Sequence, residues 1–500
     1  MQAIVRYITP LRWCACKLAA PVSRGVHTSS FGGLRLERRP IPQPMGPDWV
    51  LCKTRLGGIC GTDLSIVFLQ QHPGTMMRYY LSGGVMLGHE NVAEIVEAGP
   101  DVATARAGER VVVDPPLGCL VRKIDPPCSA CRQGRPSVCE NFDLGNMPTA
   151  IGLGYNGFTG GSWSPYFIAH HSQLHPVPDG VADEQAILVD PLACSLHAIL
   201  DDLPAASENV LVFGAGIIGL ATAALLRVVE PSLRIAVTVK HPFQADLARH
   251  YGADHLVYWK RDRQQSFRDL ASIVKARSAT LPFGMHFLQG GFDRVYYCSG
   301  AVSAFADAAR LVRPRGTLVL VGTPQIGITD LTPLWLHEIK VVGTTGRAVQ
   351  MFPGDREAAH NYRHVLRLLQ EGRIEIITER PDLVNDLAYG GGPSQLEYQS
   401  VFGPLTDTAR EQIEMDLIDC SYYDPYEAYY DSNNPLSAES LAAWAFRSTG
   451  KKARTRMRRE WYSASSTPSS SPPSRGCRTT MPREPCLCPT TSGTTTAATA

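Results

Sequence analysis

Three groups of residues hold the chemistry that this sequence can do. The first is Gly58-Ile-Cys60-Gly-Thr62-Asp63 together with Leu87-Gly88-His89-Glu90, two glycine turns that offer a thiolate, an imidazole and a carboxylate. These are zinc-ligand types, and three protein donors leave the open fourth position that a catalytic zinc needs. The second is Cys128-Ser-Ala-Cys131, followed by Cys139, in a proline-rich loop. Thiols clustered at that spacing point to metal rather than to scattered core cysteines. The third is Val210-Leu-Val-Phe-Gly214-Ala-Gly216-Ile217-Ile218-Gly219-Leu-Ala, a glycine fingerprint between an apolar strand and an Ala/Leu helix. Gly214 permits the tight turn, Gly216 lets backbone approach a pyrophosphate, and Gly219 lets helix and strand pack closely. The helix start at Ile217 and Ile218 turns unpaired N–H groups toward the anion.

An acid about 20 residues further on normally grips the adenosine ribose of NAD. It is missing here, since the second strand ends Val237-Thr238-Val239-Lys240-His241. Without a carboxylate to exclude a 2′-phosphate the reading leans to NADP, with Thr238, Lys240 and His241 as candidate phosphate contacts. His170, His171 and His175 also cluster, but they follow a strand-like run and read as a surface loop without a role. The basic run from Lys451 to Arg459 reads as a solvated tail.

The elements that must position these groups follow from pattern. Up to about Phe167 the chain is written in short runs rich in valine, glycine and proline, as strands and turns are. From Asn209 to about Thr323 short apolar strands alternate with helical segments, as a parallel βαβ sheet does. The expected strands are Val210 to Phe213, Arg234 to Val239, Arg294 to Cys298 and Thr317 to Val321, and the expected helices include Gly216 to Glu230 and Pro242 to Tyr251. Beyond Arg380 the alternation fades, and from Ser463 the composition is that of a disordered tail.

Composition excludes several classes. Lys+Arg 48 against Asp+Glu 47 gives a net charge of +1 over 500 residues, so no global field draws nucleic acid or acidic lipid. The longest apolar stretch, Val210 to Leu226, is broken by glycines and falls short of the ~20 residues of a spanning helix, so no membrane span is expected. Residues 1 to 36 hold no acid but include Arg6, Arg12, Lys17, Arg24 and Arg35, which imitates a mitochondrial presequence. The favoured reading makes Met1 to Tyr7 a first strand with Gly33 to Arg39 as its hairpin partner, and leaves a cytoplasmic location as the default.

GICGTD, GHE, the cysteine cluster and GAGIIG, in that order and at those separations, make residues 1 to 380 resemble the medium-chain zinc-dependent alcohol and polyol dehydrogenases, threonine, sorbitol and glucose dehydrogenases among them. The resemblance implies an α/β chain with a GroES-like β-rich catalytic domain at 1–188 and a Rossmann doubly wound parallel-sheet NAD(P) domain at 189–338. A return to the catalytic domain follows at 339–400, then an atypical, largely disordered tail at 401–500. It implies that Cys60 and His89 are zinc ligands, that Glu90 ligates or acts from just behind, and that Thr62 accepts the alcohol proton with Asp63 in support. Val189-Asp190-Pro191-Leu192 stands where the family carries Glu-Pro-Leu, which makes Asp190 a shorter ligand carboxylate or, alternatively, a helix cap. Ser65 stands where a relay histidine is common.

For the second metal the usual first cysteine is replaced by Asp125. Either Asp125 completes a structural zinc site with Cys128, Cys131 and Cys139, or Cys119 reaches in, or the metal is absent, in that order of expectation. The implied function is zinc-dependent hydride transfer between an alcohol or polyol and NADP or NAD, in a homo-oligomer with no nucleic-acid partner. The alternatives are a zinc-independent NADPH reductase of aldehydes or activated double bonds, and a non-enzymatic nucleotide- and zinc-binding protein.

Overall fold

Strands Trp49–Gly57 and Asn91–Ala98 pair antiparallel along their length, and the register Gly57↔Asn91 brings their ends side by side. Tyr166–His170, Arg110–Val113 and Leu174–Pro176 complete a five-stranded antiparallel sheet. Alternate residues Val50, Cys52, Ala93, Ile95, Val111 and Val113 face inward and meet Phe167 and Ala169 in one core, which is the period-two burial that valine-rich strands favour. The computed structural model describes residues 1–376, apart from 22–23, 82, 261 and 324–325. The readings made for the chain beyond 380, including the tail from 401, lie outside the described residues.

Gln2–Tyr7 pairs antiparallel with Leu34–Arg38 and with Gly84–Met86, so the reading of the first residues as a strand with a hairpin partner holds to within one residue. The connection between the first two strands carries a helix, Pro10–Ala19, with proline at its start.

The second half is a six-stranded parallel sheet. Its spatial order is His255–Tyr258, Arg234–Val239, Asn209–Phe213, Phe292–Tyr297, Val312–Leu320, Lys340–Gly343. In chain order these strands read 3-2-1-4-5-6, the doubly wound arrangement whose reversal lies between Asn209–Phe213 and Phe292–Tyr297. Helices Ile217–Val229 and Pro242–His250 fall where the pattern placed them. Strands His255–Tyr258 and Lys340–Gly343 were not foreseen, because each is only four residues long. Helix Val189–Asp201 joins the halves, and helix Asn361–Gln370 packs on it, with Tyr362, Val365 and Leu369 entering the core around Leu192 and Leu196. No helix among the described residues is long and apolar enough to cross a membrane.

One expectation is corrected. His170 and His175 are buried rather than on a surface loop: the first lies opposite Trp49 in the sheet with Nε2 3.2 Å from Asp48, and the second stacks on His360 at 4.4 Å. Nothing in the sequence around these histidines points to partners as distant as Asp48 and His360.

Candidate active site

Because Gly57 and Asn91 face one another, the turns that leave and enter their strands are neighbours. The Gly58 N–H donates to the Glu90 carbonyl at 3.1 Å, and the Trp163 indole N–H donates to the Gly58 carbonyl at 2.9 Å. Ser162 Oγ donates to the Glu90 carbonyl at 2.6 Å. These contacts gather the three expected donors: one ligand atom each from Cys60, His89 and Glu90 lies within 4.8 Å of the other two. His89 and Glu90 are buried, and Cys60 is half-buried at the mouth of helix Gly61–Val67.

Asp63 is fully buried on that helix. Its Oδ2 accepts the Cys60 N–H at 3.0 Å and its Oδ1 lies 3.3 Å from His89 Nδ1. With the Nδ1 proton directed at that carboxylate, the Nε2 lone pair is the one left to face the cluster, which is how metal-ligating imidazoles are oriented. Thr62 is half-buried one residue before Asp63. Ser65 Oγ donates to the Thr62 carbonyl at 2.8 Å and accepts from Gln71 at 3.0 Å, so it is engaged locally.

The electrostatics fit a cation. Burial, and then the charge of Asp190, push the Glu90 carboxyl up to about 8, and a divalent cation in contact with it would reverse that direction. Burial and then Glu90 likewise raise the Cys60 thiol. A thiol, an imidazole and a carboxyl gathered in a buried site are a donor set in search of positive charge.

Asp190 is not among the clustered donors, which corrects the expectation that it ligates the same ion. It is buried near the start of helix Val189–Asp201, where its Oδ2 accepts from Arg347 and from the Tyr362 hydroxyl, the latter at 2.7 Å. Burial would raise its pKa, but Arg347 and then His89 outweigh burial and hold the carboxyl below its ordinary value. Arg347 also lies 3.4 Å from Asp114 Oδ1. Sequence reasoning missed Arg347, Tyr362 and Tyr155, whose ring stacks on His89 at 4.7 Å. A single arginine or tyrosine outside a motif carries no pattern to find it by.

In the second cluster Cys119, Cys128, Cys131 and Cys139 bring their sulfurs within 4.8 Å of one another. Cys119 and Cys139 are 3.6 Å apart, and Cys128 and Cys139 are 3.9 Å apart. A tetrahedral zinc with bonds of about 2.3 Å needs sulfurs about 3.8 Å apart, so the spacing fits. Backbone N–H groups of Cys128, Cys131, Glu140 and Asn141 point at these sulfurs at 3.3 to 3.5 Å. Burial opposes ionisation of Cys128, but the N–H groups of Glu140 and Cys131 prevail and draw its thiol down to about 7. Asp125, ranked first as the fourth ligand, is exposed and outside the group. The turn closed by the Ile124 N–H on the Cys119 carbonyl buries Cys119 in its place.

At the fingerprint, Gly214 has φ +108°, and a Cβ on Gly219 would meet the Gly214 carbonyl oxygen at 1.8 Å, so only glycine lets the helix start this close to the strand. Gly216 is exposed and caps helix Ile217–Val229, with Ile217 and Ile218 half-buried in its first turn. Thr238 departs from expectation: it is buried, and its Oγ1 accepts the Gly214 N–H at 2.8 Å, so it braces the loop rather than meeting a phosphate. Lys240 is exposed at the strand end, and His241 caps the next helix with its ring stacked on Phe243 at 5.5 Å. Crowding by its surroundings, and then Arg263 nearby, hold the Lys240 pKa below its ordinary value even though part of the side chain is exposed.

Known proteins share this arrangement. The family model described as alcohol dehydrogenase GroES-like domain matches residues 46–179, and that described as zinc-binding dehydrogenase matches residues 218–361. An L-threonine 3-dehydrogenase from Rhizobium etli is 31% identical over 317 residues, which are 63% of this chain and 81% of that one. Another, from Sinorhizobium medicae, is 31% identical over 324 residues, 64% of this chain and 83% of its own. Among solved structures, a zinc-binding dehydrogenase from Sinorhizobium meliloti bound to NADP is 26% identical with a TM-score of 0.51, covering 69% of this chain and 87% of that one. Galactitol-1-phosphate dehydrogenase from Escherichia coli, at 19% identity and a TM-score of 0.54, covers 79% and 98% and shows the same fold. With its donor cluster at the strand ends and its fingerprint on a doubly wound sheet, the chain is a zinc-dependent NAD(P) oxidoreductase and belongs to the medium-chain alcohol dehydrogenase family.

Proposed function

We propose that the substrate is a small secondary alcohol carrying a second polar group, a polyol or a β-hydroxy amino acid, oxidised by hydride transfer to NADP in preference to NAD. The observation that carries this reading is the clustering of Cys60, His89 and Glu90 with Asp63 behind the imidazole. When bound, zinc would supply Lewis-acid polarisation of the substrate oxygen and the nicotinamide would supply the hydride acceptor. The chain does the rest. Asp63 fixes the His89 ring, Thr62 takes the proton of the substrate hydroxyl and passes it to water, and Asp190, held by Arg347 and Tyr362, keeps a negative charge beside Glu90. Ile217 and Ile218 present N–H groups to the pyrophosphate, while exposed Lys240, with His241 and Arg263 near it, forms a basic corner for a 2′-phosphate. The names of the Rhizobium and Sinorhizobium relatives support a hydroxy amino acid.

Residues 1–188, with the described part of 339–400, are assigned to the catalytic part and 189–338 to the dinucleotide part. A reducing, cytoplasmic setting is supported by the ten cysteines among the described residues, all of them free. A second copy of the chain is supported by Trp335 and Val341, exposed beside the outermost parallel strand.

Cofactor reduction across alcohols, sugars and hydroxy amino acids tests the substrate class. Turnover should appear on at least one of them and vanish with chelator, while turnover that survives chelation would favour a zinc-independent reductase. Cys60→Ala should abolish turnover yet leave dinucleotide binding, read by quenching of protein fluorescence.

A further inference from the structure

Between Cys131 and Cys139 the chain closes into a single 3-10 turn, Pro136–Val138, whose Ser137 is buried. The Ser137 hydroxyl donates to the Arg347 carbonyl at 3.1 Å and accepts the Arg347 N–H at 3.0 Å. One side-chain oxygen thus holds both polar groups of a single backbone residue 210 positions away in the sequence. Two residues on, the Val349 N–H donates to the Gly134 carbonyl at 2.8 Å, so the same loop grips the segment twice. The approach is close enough that a Cβ on Gly346, which has φ +63°, would meet Ser137 Oγ at 2.2 Å.

Arg347 is in turn the residue whose guanidinium meets Asp190 and Asp114, and Asp190 is the carboxylate whose charge is felt by Glu90. A path of contacts runs from the four-thiol loop, through Ser137 and the Arg347 backbone, to Asp190 and Asp114, and the charge of Asp190 reaches Glu90. We propose that Ser137 is a positioning residue through which the four-thiol loop sets the placement of Arg347, so that filling the loop with its ion tunes the geometry for hydride transfer. The inference rests on the reading of the cleft as a zinc-dependent dehydrogenase, and it adds a task for the second metal site beyond local stability.

Full-length Ser137→Ala and Gly346→Ala test the hold directly. Amide exchange at Arg347 and Val349 should speed by about tenfold or more in both variants, since local opening is what the two contacts prevent. With an alcohol substrate kcat should fall about tenfold to a hundredfold, the cost of a small misplacement, while dinucleotide affinity stays within about twofold. Adding Ser137→Ala to Arg347→Ala should cost less than about twofold more, because the two act in series. Cys119→Ser, which removes a ligand of the loop, should speed exchange at Arg347 and Val349 in the same way. Unchanged exchange at Arg347 in Ser137→Ala, or protection retained there in Cys119→Ser, overturns the inference even if the substrate class is right. A wild-type chain that turns over no alcohol would instead sink the reading of the cleft, and the exchange measurements would still decide the role of Ser137.

Discussion

At the scale of single residues, the environment of Asp190 explains why a carboxylate one methylene shorter than the family's glutamate stays outside the group of clustered donors. Its Oδ2 is committed to Arg347 and Tyr362 in a buried pocket. Removing one partner of such a pair leaves the other charge buried and alone. Asp190→Ala should therefore lower stability by about 3–5 kcal/mol, read as a drop in urea midpoint, and should lower kcat more than dinucleotide affinity. A variant of wild-type stability would show that Arg347 finds another anion. The donors Cys60, His89 and Glu90 were legible because residue type and glycine turn coincide within each short motif. The fate of Asp190 was not, because its partners lie 157 and 172 residues away and belong to no motif.

At the scale of elements, the four-thiol loop and the second parallel strand each answer a question that sequence left open. Cys119→Ser should lower bound zinc from about two to about one per chain, whereas Asp125→Asn should leave it at about two, as metal analysis of the purified protein will show. The reverse result would restore Asp125 as the ligand. At the end of strand Arg234–Val239, Lys240→Ala combined with His241→Ala should raise KM for NADP by about tenfold and leave KM for NAD within about twofold, the expected effect of losing a charged phosphate contact. Equal effects on both cofactors would assign the basic corner to the pyrophosphate. Elements with a strong period, such as Asn209–Phe213 and Ile217–Val229, were placed from sequence nearly to the residue. The short hairpin strands Arg277–Thr280 and His286–Gln289 were not, because four residues are too few for an alternation to stand out in the sequence.

At the scale of the whole molecule, buried histidines set how stability responds to acid. Burial, and then Lys17 nearby, draw His27 down to about 4 from an ordinary 6.5, and burial with His360 takes His175 well below its ordinary value. As pH falls below 6.5 the unfolded chain binds protons that the folded chain refuses at these two sites, so the stability they contribute is full above about 6.5 and declines below it. The melting temperature should drop between pH 6.5 and 5, and His27→Gln should flatten part of that slope. An unchanged slope would show that His27 is protonated in the fold. The guanidinium of Arg347 has a related reach, since it stands between carboxylates from two separate segments. Asp114 keeps His360 at 3.2 Å, so in an Arg347→Met chain Asp190 alone would be left to draw a hydrogen ion from solvent as the polypeptide collapses around it. Folding near neutrality would then consume acid, and its calorimetric heat would track the ionisation enthalpy of whichever buffer surrounds it.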